Sequence, residues 1–179
     1  MDEIKDWFMT FGRIIENPFP TTFLVEAKKA KGKFAGAIAW IAFVAVFAEA
    51  NVLILIERFS VSRILKALLF APIVFIFSVF CIHMFYQKFF GRKKYYYEEL
   101  LYLIVGIFVP FMLASILASN IPIIGVVVSL MILAYAVILT VIAVKAITKL
   151  KIWQSVIVVF SGLVVAAIGY FVIPILIFS

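Results

Sequence analysis

The sequence predicts an all-α membrane protein: a bundle of five transmembrane helices preceded by an amphipathic helix at the membrane interface. Two observations predict this fold class. First, 67% of the 179 residues are apolar, whereas a soluble domain usually contains about 45–50%. Second, five apolar runs are each long enough to cross about 30 Å of hydrocarbon as a helix, which takes roughly 20 residues. These runs are too long and continuous for the strands of a membrane β-barrel.

Residues 1–34 form the predicted cytoplasmic lead-in. Apolar residues recur at helical spacing over 2–16, and Asn17-Pro18 ends the pattern. This helix either lies in the cytoplasmic leaflet with Trp7 near the headgroups, or packs its apolar face on the end of the bundle. Four lysines follow, which either contact anionic headgroups or act only as a topology signal. They are Lys28, Lys29, Lys31 and Lys33.

Residues 35–179 form the predicted transmembrane domain, in which short connections leave no room for a soluble domain. Its five spans cover about residues 35–56, 64–87, 100–119, 123–144 and 153–178. Small residues three or four apart predict helix packing faces in two spans, because they allow backbones to approach closely in lipid. They are Gly106, Pro110, Ala114 and Ala118 in the third span, and Gly162, Ala166 and Gly169 in the fifth.

The uneven distribution of Lys and Arg predicts the orientation. If the N-terminus is cytoplasmic, thirteen of these residues lie inside and three lie outside. The connection SNIPIIG, residues 119–125, contains none. Cytoplasmic connections retain basic residues during insertion, so the N-in, C-out orientation is favoured. Pro122 and Gly125 suit a tight turn between two helices.

Three polar side chains are predicted to lie within the membrane: Glu49, Asn51 and His83. An ionisable residue there costs roughly 2.5–3.5 kcal/mol on insertion scales, so each is a candidate site. Asn51 lies about 200° around the helix from Glu49, so the two do not line one site. Small residues on the helical face of Glu49 predict that it points toward other helices. They are Ala35, Ala39 and Ala42.

Glu49 has two interpretations, a structural contact between helices or an ion or ligand site. It is either protonated or paired with Lys66, whose side chain can reach inward. His83 lies about 13 Å away in depth, near the inner end of its span, which argues against a direct proton relay unless tilt or kinking at Pro72 changes the depths. Pro72 and Pro110 each remove a backbone hydrogen bond in mid-span and predict kinks, which serve either as hinges or only as shape.

The sequence lacks the residue patterns of membrane enzymes. A zinc protease needs two histidines and a glutamate on one helix, and this chain has one histidine. Glu98-Glu99 lacks the arginine and histidines that accompany paired glutamates in intramembrane CAAX-type proteases. We therefore expect no catalytic residues, no metal, no cofactor and no enzymatic activity. The basic residues flank apolar runs, which is typical of membrane insertion rather than nucleic-acid binding.

Four stretches, taken in order, carry a family resemblance. They are Asn17-Pro18 with Thr21-Thr22-Phe23, then FFGRKKYYYEELL at 89–101, GIFVPFMLASILASNIPIIG at 106–125, and AVKAITKLKIWQSVIVV at 143–159. Together they resemble the Yip family of Ypt/Rab-interacting membrane proteins, in particular its Yip-one domain. The resemblance covers nearly the whole chain and depends on order and spacing. It implies five membrane helices, a cytoplasmic N-terminus and an outward C-terminus.

The same resemblance implies a role. Eukaryotic members work at Golgi and endoplasmic reticulum membranes, in vesicle formation with small GTPases. This chain lacks their long acidic N-terminal region and their Asp-Leu-Tyr-Gly-Pro type motif, so small-GTPase binding is doubtful and the chain looks more like the prokaryotic branch. The expected location is the cell membrane for a prokaryotic protein, and the Golgi or endoplasmic reticulum for a eukaryotic one.

These observations predict a non-enzymatic integral membrane protein that acts as a membrane-organising or partner-binding scaffold. Its expected partners are the lipid bilayer and a second protein or a second copy of the chain, with no nucleic acid. The alternative is a small oligomeric transporter or channel that uses Glu49 in the membrane.

Overall fold

Seven α-helices make up the described part of the chain, which is residues 2–55, 60–91 and 97–178 of the computed structural model. Two short helices come first, α1 (Asp2–Glu16) and α2 (Pro20–Ala27). Five long helices follow: α3 (Phe34–Leu55), α4 (Val61–Phe90), α5 (Tyr97–Ser119), α6 (Gly125–Thr148) and α7 (Ile152–Phe178). The predicted all-α class is confirmed.

Four of these helices, α3 to α6, are long and apolar enough to cross a membrane. Their apolar stretches contain 21 to 30 residues, and 21 residues already span about 31 Å at 1.5 Å per residue. Much of their exposed surface is apolar, as on α6 at Val127, Leu130 and Met131. The apolar stretch described for α7, Ile152–Val165, is shorter. The fifth span therefore stays a prediction. The N-in, C-out orientation also stays a prediction.

The helix at the centre of the bundle is α5. It packs against α3, α4 and α6, and also against α1 and α2. Every residue from Leu100 to Ile107 is buried. A helix that is apolar and buried all round needs neighbours on every side. The two short helices therefore complete the packing around the first half of α5.

The connection between α5 and α6 is a tight turn over residues 120–124. Gly125 starts α6 so close to the carbonyl oxygens of Ala118 and Ser119 that a Cβ would collide with the backbone. Ile123, at the tip of the turn, has a φ of 69° and is almost fully exposed. Gly125 is thus needed because the start of α6 lies so close to the end of α5. The left-handed backbone position of the turn is occupied by Ile123, a β-branched residue.

The predicted small-residue face of α5 is wrong as a single face. Gly106 is buried against α1, where an added Cβ would lie 3.0 Å from Ile14 Cδ1 and 3.5 Å from Thr10 Cγ2. Ala118 is buried at the turn, whereas Ala114 is exposed. Residues four apart drift by about 40° around a helix at each step, so Ala114 lies about 80° from Gly106 and does not share its neighbours.

On α7, Gly162 does provide a packing contact. A Cβ there would collide with Ile82 of α4 and lie 3.1 Å from the carbonyl oxygen of Ser78. The backbones of α4 and α7 thus approach closely at this point, as expected for a small residue in a membrane helix. Ala166 and Gly169 lie outside the residues whose side chains are described.

The two mid-span prolines do not interrupt their helices. Pro72 lies inside α4 and Pro110 inside α5, and both helices continue through them. Pro122 lies in the α5–α6 turn, where its carbonyl oxygen accepts a hydrogen bond from the Ile124 amide at 2.7 Å. A hinge function for these three prolines stays a prediction.

Candidate functional site

The apolar face of α1 packs on the bundle. Trp7, Phe11 and Ile14 are only 1%, 6% and 0% exposed, and the centroid of the Trp7 ring lies 4.5 Å from that of Tyr102 on α5. Of the two placements that the amphipathic pattern allows, the structure shows contact with the bundle. The assignment of Trp7 as a membrane-surface contact is wrong, because its ring is buried between α1 and α5.

One flank of this buried face of α1 also exposes apolar side chains. Ile4 and Phe8 are both 59% exposed, and Ile15 is 50% exposed. The Phe8 ring lies edge-on to the ring of Trp40 on α3, with a centroid distance of 5.5 Å. Aromatic contacts continue along α3 from Trp40 to Phe43. The exposed apolar edge of α1 is therefore continuous with the exposed apolar surface of α3.

A buried carboxylate joins the two short helices. Glu26 of α2 is 0% exposed. Its carboxylate accepts a hydrogen bond from Thr10 Oγ1 at 2.8 Å, one from Arg13 Nη1 at 3.1 Å, and contacts from Lys29 Nζ to both oxygens at 2.7 and 2.8 Å. Thr10 Oγ1 also lies 2.8 Å from the hydroxyl of Tyr102. Since the Thr10 proton goes to Glu26, the Tyr102 hydroxyl donates to Thr10.

These contacts keep Glu26 ionised. Burial by itself raises the pKa of its carboxyl group, but hydrogen bonds from Lys29, Thr10 and Arg13 outweigh burial, so the pKa lies below its ordinary value. A buried charge is tolerated only when it is paired and hydrogen-bonded. We call Thr10, Arg13, Glu26, Lys29 and Tyr102 the Glu26 cluster. It connects α1, α2 and α5 at one point.

A depression of about 400 Å³ lies beside the Glu26 cluster. Its lining combines three cations, one carboxylate and two less polar side chains. They are Arg13, Lys29, Lys33, Asp6, Met9 and Tyr102. Lys33 Nζ donates to the Asp6 carboxylate at 3.1 Å. This concave surface lies where Lys33 leads directly into α3.

The four lysines of residues 28–33 do not form a uniform patch. Lys29 and Lys33 turn toward the depression, where they contact Glu26 and Asp6. Lys28 and Lys31 are exposed. Contact of any of the four with the membrane surface stays a prediction. Nothing in the local sequence separates the two pairs of lysines, because their acidic partners lie on α1 and α2.

Glu49, the first predicted intramembrane site, forms an ion pair between α3 and α4. Its Oε1 lies 2.5 Å from Arg63 Nε, which is an ion-pair distance, although the two groups lack the angular geometry of a hydrogen bond. The sequence suggests Lys66 as an ion-pair partner of Glu49, whereas the structure shows Arg63 as a partner. Of the small residues predicted on its face, Ala35 and Ala39 are exposed and Ala42 is partly buried, whereas Glu49 itself does contact a neighbouring helix.

Asn51 contacts a different neighbour from Glu49. Its side-chain amide exchanges two hydrogen bonds with that of Asn120, at 3.1 and 3.0 Å. This reciprocal pair ties the end of α3 to the α5–α6 turn. Glu49 and Asn51 are therefore not brought into one site.

His83, on α4, belongs to a contact with α5. Its Nε2 lies 2.8 Å from the Gln87 amide nitrogen, and its ring lies edge-on to Tyr97 with a centroid distance of 5.7 Å. The Tyr97 hydroxyl donates to the carbonyl oxygen of Ile76 at 2.9 Å. These contacts describe a packed polar position between two helices, near the end at which α4 stops.

Comparison with known proteins gives no family assignment. No protein-family model, curated protein or solved structure matches this chain. Within residues 2–55, 60–91 and 97–178, no group of three His, Cys, Asp or Glu side chains could hold a metal ion. Among the described residues, the Glu26 cluster is the polar group with the most side-chain hydrogen bonds.

Glu26 is not among the site residues predicted from the sequence. One signal was available, since Glu26 is the single charged residue in the helix PTTFLVEA and lies three residues before Lys29. Its other donors come from α1, and nothing in the local sequence specifies them. A lone carboxylate in an apolar segment is the pattern that could have identified it.

Proposed function

We propose that this protein is a non-enzymatic integral membrane protein that organises the membrane or binds a protein partner through its N-terminal region. We name that region, residues 2–33, the N-terminal cap. Five spans and a cytoplasmic cap are part of the proposal, supported by four long apolar helices and by the distribution of basic residues. The resemblance to the Yip family is consistent with this role.

One observation carries the proposal: the cap is a folded surface, held on the bundle by the Glu26 cluster. The cap exposes apolar side chains in two places: Phe8 lies beside α3, and Phe19 and Val25 line one hollow together with Arg13. Exposed apolar side chains grouped beside charged residues are typical of surfaces that contact proteins or membranes. Because the opposite side of the cap is bound to α5, this surface is presented in a fixed orientation.

Photo-crosslinking in native membranes tests the proposal. A photoreactive amino acid at Phe8 or Val25, on the cap, should give discrete protein adducts. The same amino acid at Leu130, on the exposed surface of α6, is the control and should give mainly lipid adducts. If the cap positions also give only lipid adducts, the protein-partner form of the proposal is rejected.

A small oligomeric transporter or channel is the second candidate. The specific observation in its favour is the Glu49–Arg63 ion pair, since ionisable groups within an apolar helix often mark solute or ion pathways. Flux of ions or small solutes into proteoliposomes should fall in Glu49→Gln if this function is correct. Unchanged flux in the variant, or no flux in the wild type, would reject it.

A further inference from the structure

The depression beside the Glu26 cluster is lined by three cationic side chains that do not use all of their N–H donors in the described contacts. In the described contacts, Arg13 uses one of its five N–H donors on Glu26, Lys29 uses two of three, and Lys33 uses one of three on Asp6. The three cations therefore retain donors that a further acceptor in the depression can engage.

The carboxylates near these cations do not saturate them. Glu26 is buried behind the depression with its oxygens already engaged. The Asp6 side chain is 49% exposed, and an ion pair of that exposure contributes little stability. An anion that enters the depression thus competes mainly with Asp6 for Lys33.

We propose that this depression binds the phosphoryl group of an anionic lipid headgroup. A phosphoryl group offers several oxygens to the guanidinium fork of Arg13 and the ammonium groups of Lys29 and Lys33. The position favours a lipid as the source, because Lys33 immediately precedes α3, where the chain enters its first predicted span. Met9 is exposed and lines the depression, so it offers an apolar side chain that suits an acyl chain.

Other basic positions in the cap lack this geometry. Lys28 and Lys31 are exposed and do not line this depression. A more open hollow of about 530 Å³ on the cap is lined by Arg13 and Glu26 but by no lysine. The inference depends on the membrane placement in the proposed function, but it involves no protein partner. A failed crosslinking experiment therefore leaves it intact.

Lipid binding by the purified full-length protein in detergent tests the inference. Dioctanoyl phosphatidic acid is titrated into the wild type and into Lys33→Gln, Lys33→Arg and Lys31→Gln. We expect Lys33→Gln to weaken binding about tenfold, equivalent to about 1.4 kcal/mol, and Lys33→Arg to retain it. Lys31→Gln removes the same charge from an exposed position, so its affinity should change less than about twofold.

A variant that is expected to bind more tightly shows that weaker lipid binding in the other variants is not caused by misfolding. Asp6→Asn removes the carboxylate that competes for Lys33, and it should strengthen binding several-fold. Equal weakening in Lys33→Gln and Lys31→Gln would mean general surface attraction and would overturn the site. The absence of saturable binding by the wild type would do the same.

Inorganic phosphate distinguishes the two sources of the phosphoryl group. If lipid binding persists in a large excess of inorganic phosphate, a lipid headgroup is supported. If phosphate alone binds as tightly as the lipid, with the same dependence on Lys33, the phosphoryl chemistry is supported and the lipid source is overturned.

Discussion

At the scale of single residues, Glu26 determines how the cap is held. Its carboxylate is engaged by Thr10, Arg13 and Lys29, and through Thr10 it reaches Tyr102 on α5. Removing the charge of such a group leaves its cationic partners without their counter-charge. Loss of one member of a buried pair is much more destabilising than loss of an exposed pair.

Glu26→Gln should therefore loosen the cap. We expect the free energy of unfolding of the cap to fall by about 2 kcal/mol, seen as faster proteolysis within residues 2–33 in detergent. Glu16→Gln is the matched control, because Glu16 lies exposed at the end of α1. Equal protease sensitivity in the two variants would contradict a structural role for Glu26.

Acid should have the same effect as this substitution. The pKa of Glu26 in the folded protein lies below its ordinary value of 4.5. Its stabilising contribution is thus fully present above about pH 4.5 and is lost as the pH falls through the lower, folded-state pKa. Trp7 fluorescence, measured with Trp40 and Trp153 replaced by Phe, reports cap opening. Glu26→Gln should lose this component of the pH dependence.

Ile123 carries backbone strain at the tip of the α5–α6 turn. Its φ of 69° costs a β-branched residue about 1–2 kcal/mol, whereas Asn tolerates this region. Ile123→Asn should raise the stability in detergent by about 1 kcal/mol, measured as an increase in Tm. Ile121→Asn, in the same turn without a positive φ, should not. A lower Tm for Ile123→Asn would contradict the strain.

At the scale of elements, α1 shows what an amphipathic pattern can and cannot predict. The spacing of its apolar residues predicts the helix and its limits, and α1 indeed covers Asp2–Glu16. The pattern identifies an apolar face without identifying what covers it. Here Gly106 on α5 is the decisive partner, because it has no side chain and leaves space for Ile14.

Filling that space should displace α1. A leucine at position 106 would collide with Ile14, since even a Cβ would lie 3.0 Å from Ile14 Cδ1. Gly106→Leu is expected to open the cap to proteases, as overpacking typically costs 1–3 kcal/mol. Ile14→Ala in the same chain should partly restore protection. If the single variant remains protected, α1 does not depend on this contact.

At the scale of the whole molecule, the long helices coincide closely with the apolar runs. The predicted spans 35–56 and 100–119 correspond to α3 at Phe34–Leu55 and α5 at Tyr97–Ser119, because helix length is set by the number of apolar residues needed. Helix contacts could not be predicted in this way. On α6, for example, Val127 is exposed and Val144 is buried. The residue type does not distinguish the two positions, because lipid and the protein interior both favour apolar side chains.

Orientation belongs to the same scale and can be tested directly. In a background with Cys81→Ser, cysteine replaces Lys31 on the cap or Ile123 at the α5–α6 turn, both of which are exposed. The N-in orientation predicts that a membrane-impermeant thiol reagent labels Ile123→Cys in intact cells and labels Lys31→Cys only after permeabilisation. The reverse pattern would invert the proposed topology.

The contact between Thr10 and Tyr102 also has a consequence for biosynthesis. These residues are separated by 92 positions, so α1 and α2 leave the ribosome long before their partner helix exists. Until α5 is synthesised and inserted, the apolar side chains of α1 have no bundle to cover them, and the nascent chain must shelter them on the bilayer or on a chaperone. Closure of the cap is therefore a late event, since it requires α5 and also α6, against which α2 packs.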